Sequence, residues 1–125
     1  MGIPVCITPR ANYQSVAEHA LSMMLALAKN LPLHGKFIKA GAWGKTANPG
    51  TESQSKCLGI IGVGRIGRRL GELVQPLDMR IIGYDPHLPA KLFPGHIRSL
   101  HDSRFFCGRP ILCPFTVLGR KRPII

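Results

Sequence analysis

Leu58–Glu72 reads LGIIGVGRIGRRLGE, and no other stretch restricts the fold of this chain so much. The apolar run Cys57–Ile61 predicts a buried strand. Gly62, Gly64 and Gly67 follow in G-x-G-x-x-G spacing, and a helix is predicted from Arg65 to about Gln75. A second apolar run, Arg80–Tyr84, predicts another strand, which Asp85-Pro86 closes. Strand, glycine turn, helix and strand make one βαβ unit.

Each glycine in that spacing has its own physical reason. Gly62 permits the tight turn, Gly64 lets a backbone approach a pyrophosphate, and Gly67 lets the helix pack closely on the strand. The N–H groups of Arg65 and Ile66 lie at the helix start, where the helix dipole favours negative charge. Asp85 stands 18 residues beyond Gly67, at the end of the second strand. A carboxylate there accepts hydrogen bonds from ribose hydroxyls and repels a 2′-phosphate, which favours NAD over NADP. Gly62, Gly64, Arg65, Ile66, Gly67 and Asp85 are therefore the candidate cofactor-binding residues. Arg68 and Arg69 either add to phosphate attraction or form an ordinary solvated helix face. The plain alternative is a tight strand–helix turn without a ligand.

Upstream, residues 3–7 (IPVCI) read as a short buried strand, followed by a loop at Pro9–Gln14. Ser15-Val16-Ala17-Glu18 has the S-x-x-E form of a capping box, with Ser15 as N-cap of a helix that stops before Pro32. The apolar residues Val16, Ala17, Ala20, Leu21, Met24, Leu25, Leu27 and Ala28 cover most of its circumference. Such a helix is buried on more than one side, by neighbouring domains or by a second subunit. A shorter helix is predicted over His34–Ala40, ended by Gly41. Trp43 reads as a packing anchor, and the stretch GKTANPGTESQSK as an exposed connection. Residues 86–102, with prolines at 86, 89 and 94, read as loop.

The chain has 125 residues and 45% hydrophobic residues, enough for at most one domain of globular composition. No apolar run reaches the length of a membrane span, and the N-terminus lacks a secretory pattern, so a cytoplasmic location is expected. The four cysteines, Cys6, Cys57, Cys107 and Cys113, show no metal-ligand spacing; Cys6 and Cys57 read as small buried hydrophobes. His87, His96 and His101 read as solvated loop residues. The net charge of +11 invites a nucleic-acid partner, but its distribution argues against a specific one. Residues 103–125 alone contribute Arg104, Arg109, Arg120, Lys121 and Arg122 with no acidic residue.

The segments GIPVCITPRANYQSVAEHALSMMLALAKNLP, AGAW, LGIIGVGRIGRR and MRIIGYDPHLP together resemble the D-isomer-specific 2-hydroxyacid dehydrogenases, closest to the phosphoglycerate dehydrogenase group. The resemblance covers about residues 2–89. It implies a partial Rossmann-type α/β fold: a doubly wound parallel sheet, represented by its first βαβ unit, preceded by a long crossover helix. It also implies hydride transfer between NAD(H) and a D-2-hydroxy or 2-keto acid, with a small-molecule 2-hydroxy acid as substrate of the parent enzyme. On this basis residues 1–14 are a remnant of the substrate domain, 15–50 the crossover helix and connection, and 51–102 a partial NAD-binding domain. The Ser15–Leu31 helix is then a homodimer boundary, with His19 a packing or interface residue. The family's substrate-binding Arg and its His with supporting Glu belong downstream of the stretch that keeps the pattern. No catalytic residue is assigned, and the chain alone is expected to be inactive.

After about Leu100 the resemblance implies a strand like A-D-x-L-S-V-H-x-P, where this chain instead has HDSRFFCGRPILCPFTVLGRKRPII. Read two nucleotides later, the codons from Gly108–Val117 onward can spell A-A-D-x-L-S-V-H-C-P. Residues 103–125 are therefore expected to be a frameshifted, non-homologous tail, the alternative being a genuine divergent C-terminus. Two functional readings stand: a fragment of an NAD-dependent D-2-hydroxyacid oxidoreductase, or a small noncatalytic dimerisation or nucleotide-binding module. A basic nucleic-acid binder ranks below both.

Overall fold

The computed structural model describes residues 2–4, 6–8, 11–42 and 49–101, and the backbone of Phe115–Thr116. Helix α1 spans Tyr13–Ala28 and α2 spans Leu31–Lys39. Strand β1 (Cys57–Ile61), helix α3 (Arg65–Val74) and strand β2 (Arg80–Tyr84) follow. Two-residue strands β3 (Arg98–Ser99) and β4 (Phe115–Thr116) complete a parallel sheet of order β3-β2-β1-β4. This is the 3-2-1-4 order of a doubly wound nucleotide-binding fold, so the reversal of strand order falls beside β1.

β1 and β2 pair from Cys57↔Arg80 to Ile61↔Tyr84. Because strand side chains alternate, Leu58, Ile60, Ile81 and Gly83 share one face, and all four are buried. Helix α3 covers that face with Gly67, Leu70, Gly71 and Val74, at the i, i+3, i+4, i+7 spacing of an apolar stripe. Helix α1 packs in turn on α3 through Ala17, Ala20 and Met24. Alanines on this stripe keep the side chains between the two helices short. Full burial of Leu70 and of Val74 contributes about 1.5–3 kcal/mol each.

Several local expectations are corrected. The first helix begins before Ser15: Val16 N–H already donates to the Asn12 carbonyl, which makes Asn12 the N-cap. Ser15 lies inside the first turn, exposed, and no side chain caps the helix. Asn30, in the left-handed conformation at φ 51°, separates α1 from α2. Pro32 therefore sits in the first turn of α2, where its missing N–H costs nothing, and α2 starts earlier than His34. At its far end Gly41 (φ 72°) donates to the Ile38 carbonyl and Ala42 to the Phe37 carbonyl, a Schellman closure.

Residues 2–4 and 6–8 carry no strand and are exposed, Ile3 at 89%, so neither Ile3 nor Cys6 is a buried apolar residue. The connection before β1 is not fully exposed either. Thr51 N–H donates to the Ala28 carbonyl, Gly50 lies against Lys29, and Ser53 is buried. Trp43 lies outside the described residues. On α1, Val16 and Leu27 are exposed, so the described residues leave part of that helix uncovered. His19 is exposed as well.

The stretch after β2 is more ordered than a loop reading allows. A short 3₁₀ turn spans Ala90–Leu92, and β3 pairs with Ile82–Gly83. Between them Ile97 is buried, and Phe93, His96 and Ile97 fold over two glycines. A Cβ at Gly83 would stand 2.7 Å from Ile97 Cγ2, and one at Gly71 would stand 3.0 Å from His96 Nε2. His96 is thus a packing residue with a buried Nε2, not a solvated one.

Candidate functional site

The turn leaves the C-terminal end of β1 and is built by five residues in succession. Gly62 extends the ladder, its N–H donating to the Tyr84 carbonyl at 2.8 Å, and then turns at φ 92°, a region open to glycine. Val63 drives its side chain inward, 1% exposed, against Gly83. Gly64 is the N-cap of α3, with φ −76° and ψ −161°. Arg65, exposed, begins the helix, and Ile66 turns its side chain toward the core, so Ile66 offers the turn only its backbone.

The three motif glycines differ in what the protein demands of them. At Gly67 a Cβ would meet the Gly62 carbonyl oxygen at 2.3 Å and Ile60 Cγ2 at 3.1 Å, so the close crossing of α3 over β1 accounts for that glycine. The positive φ accounts for Gly62. Neither reason applies to Gly64, whose dihedral angles are those of an extended residue and around whose Cβ position no atom of the described residues, its chain neighbours aside, lies within 4 Å. A glycine at this place leaves the backbone open to close approach from outside.

Asp85 follows the last residue of β2 and is half-buried beside the turn. Its Oδ2 accepts from Val63 N–H at 3.0 Å and its Oδ1 from His87 N–H at 2.9 Å. Each carboxylate oxygen has a second acceptor site, so both keep capacity for a hydroxyl donor. Asp85 and the glycine turn, 18 or more residues apart in the chain, are thereby joined directly.

The two helix arginines do not face the turn's open side as phosphate ligands. Arg68 donates through Nε to the Val63 carbonyl at 3.2 Å and through Nη2 to the Leu92 carbonyl at 3.1 Å. Arg69 pairs with Glu72 at 2.7 Å and donates to Gln14 Oε1, linking α3 to the start of α1. Sequence reasoning missed the hydrogen bonds of Arg68 to the Val63 and Leu92 carbonyls. The only cue was its place one residue after Gly67, which does not separate a brace from a solvated side chain. No acidic side chain stands in the first turn of α3, and no side chain caps it. The first-turn N–H groups of any helix have no carbonyl of their own helix to donate to, which suits this end to an anion. Among the described residues no group of three or more His, Cys, Asp or Glu could hold a metal, and no helix is long and apolar enough to cross a membrane.

Comparison with known proteins agrees with this geometry. Residues 21–101 match the family described as D-isomer specific 2-hydroxyacid dehydrogenase, NAD binding domain. A D-3-phosphoglycerate dehydrogenase of Methanocaldococcus jannaschii is 41% identical over 91 residues, which is 73% of this chain and 17% of that protein. A glycerate dehydrogenase related protein from Thermoplasma acidophilum superposes with TM-score 0.65 at 35% identity, over 82% of this chain and 36% of that one. The NAD-dependent formate dehydrogenase from Staphylococcus aureus, solved in complex with NAD, gives TM-score 0.66 at 30% identity, over 73% of this chain and 28% of that one. The chain thus spans 16–17% of the length of the curated relatives it matches. With most of its length matched to the family's nucleotide domain, and with that domain's strand order and glycine turn in place, the chain belongs to the D-isomer specific 2-hydroxyacid dehydrogenases and carries part of their NAD-binding domain.

Proposed function

We propose that this chain binds NAD through Gly62, Gly64, Arg65, Ile66, Gly67 and Asp85, as part of an oxidoreductase acting on the CH-OH group of a D-2-hydroxy acid. The observation that carries the reading is Gly64, a glycine that neither backbone conformation nor protein packing requires, at the start of an uncapped helix. The pyrophosphate would lie over Gly64, with the backbone N–H groups of Arg65 and Ile66 as donors. Asp85 would accept the adenosine ribose hydroxyls on the oxygens that already orient Val63 and His87. Bound NAD would supply the hydride acceptor or donor for the 2-hydroxy acid. No described residue is assigned a proton-transfer role, and the chemical step is ascribed to the parent enzyme rather than to this chain.

Calorimetric titration of the full chain with NAD and with NADP tests the reading. Saturable NAD binding that is at least tenfold tighter than NADP, about 1.4 kcal/mol, is expected from the carboxylate at Asp85. No binding, or equal affinity for the two, would contradict it.

A second reading, self-association through α1 and the start of α2, is favoured by Val16, Leu27 and Leu31, all exposed, with Leu27 at 65%. Sedimentation equilibrium of wild type and Leu27→Glu decides it. A dimer that the substitution dissociates supports this reading, and a monomeric wild type excludes it.

A further inference from the structure

The peptide units on either side of Val63 are each held by a charged side chain. Asp85 accepts the N–H of the unit joining Gly62 to Val63, and Arg68 donates to the carbonyl of the unit joining Val63 to Gly64. A trans peptide is planar, so its N–H points opposite to its C=O, and no cis bond occurs among the described residues. Holding the Val63 carbonyl toward Arg68 therefore holds the Gly64 N–H in the opposite direction. Gly64 itself offers little steric resistance to reversal, since glycine accepts either sign of φ and no atom of the described residues, its chain neighbours aside, lies within 4 Å of its Cβ position. Reversal would present a carbonyl oxygen where the N–H had been, and a carbonyl repels an anion. Arg68 also reaches the Leu92 carbonyl, so the turn is braced against the segment that follows Asp85.

We propose that Arg68 is a positioning residue that locks the Val63–Gly64 peptide in the orientation a pyrophosphate requires, by joining the Val63 and Leu92 carbonyls through one guanidinium. It acts through the backbone and does not touch the ligand. A planar guanidinium can donate to two acceptors from a fixed fork, whereas a lysine ammonium on a flexible stem keeps the charge but not the fork. Arg68→Lys therefore separates the brace from simple electrostatic attraction.

The ligand arm of the test rests on the dinucleotide reading above; the exchange arm does not. Full-length wild type, Arg68→Lys and Arg68→Gln are compared by amide hydrogen exchange at Val63, Ile60 and Ile82, and by titration with ADP and with adenosine. In both variants exchange at Val63 rises about tenfold, the loss of one charge-assisted restraint, while Ile60 and Ile82 keep their rates. ADP binding weakens about tenfold and adenosine binding by less than about twofold, because only ADP needs the Gly64 peptide. Unchanged exchange at Val63, full ADP affinity in Arg68→Lys, or equal weakening of ADP and adenosine would each overturn the proposal. If wild type binds neither ligand, the dinucleotide reading fails, and Val63 exchange alone upholds or overturns the brace.

Discussion

Gly67→Ala puts the packing of α3 on β1 to a quantitative test. The added Cβ would stand 2.3 Å from the Gly62 carbonyl oxygen and 3.1 Å from Ile60 Cγ2. Side-chain overlap can be relieved by a rotamer change, but the first of these neighbours is backbone. Moving Gly62 would break its 2.8 Å bond to the Tyr84 carbonyl, so α3 would have to retreat by most of an ångström. That retreat loosens Leu70 and Val74, which are 1% and 0% exposed. Overpacking of this kind costs about 3 kcal/mol, and the better helix propensity of alanine returns about 1 kcal/mol. A net loss of about 2 kcal/mol is expected in urea denaturation, read as a lower midpoint at unchanged slope. A Gly67→Ala chain as stable as wild type would refute the close crossing of helix and strand.

Two further outcomes follow from the same geometry. Asp85→Asn keeps the shape but replaces one acceptor oxygen by an NH₂ group, so one of Val63 and His87 loses its bond; about 1–2 kcal/mol of stability is lost. Denaturation curves superimposable on wild type would contradict it. The proposed frameshift after residue 102 predicts that the encoding DNA, read two nucleotides later, continues as a dehydrogenase with Arg, Glu and His in order. A DNA sequence with no such continuation would leave the tail as a genuine C-terminus.

Strands β1 and β2 were legible to their last residues because each is an apolar run ended by a local signal, the turn at Gly62 and Asp85-Pro86. The helix after the glycine turn was legible for the same reason. Burial that depends on a distant partner was not. The run at residues 3–7 looks like a strand, yet nothing described here pairs with it, and Ile3 stays exposed. β3 exists because Arg98–Ser99 lie beside Ile82–Gly83, which no pattern in its own two residues announces. β4 comes from residues 103–125, a stretch in which sequence offered no element, and pairs its backbone with Ile60–Ile61. Ser15 matched a capping pattern, but Asn12 closes the first turn earlier, and a four-residue motif cannot report which turn closes first. At the candidate site, glycine spacing marks the turn, whereas the hydrogen bonds from Val63 N–H to Asp85 and from Arg68 to the Val63 carbonyl arise only when loop and helix meet.

The central claim is that Gly64 is a glycine for the sake of a ligand, and Gly64→Ala tests it most directly. Space around the site is open and φ is −76°, so the variant should fold within about 1 kcal/mol of wild type, the usual difference between glycine and alanine at an N-cap. NAD affinity, measured on the same samples by calorimetry, should fall at least about tenfold, because the methyl group would occupy the place proposed for the pyrophosphate. An alanine variant that folds normally and binds NAD as tightly as wild type would contradict the account.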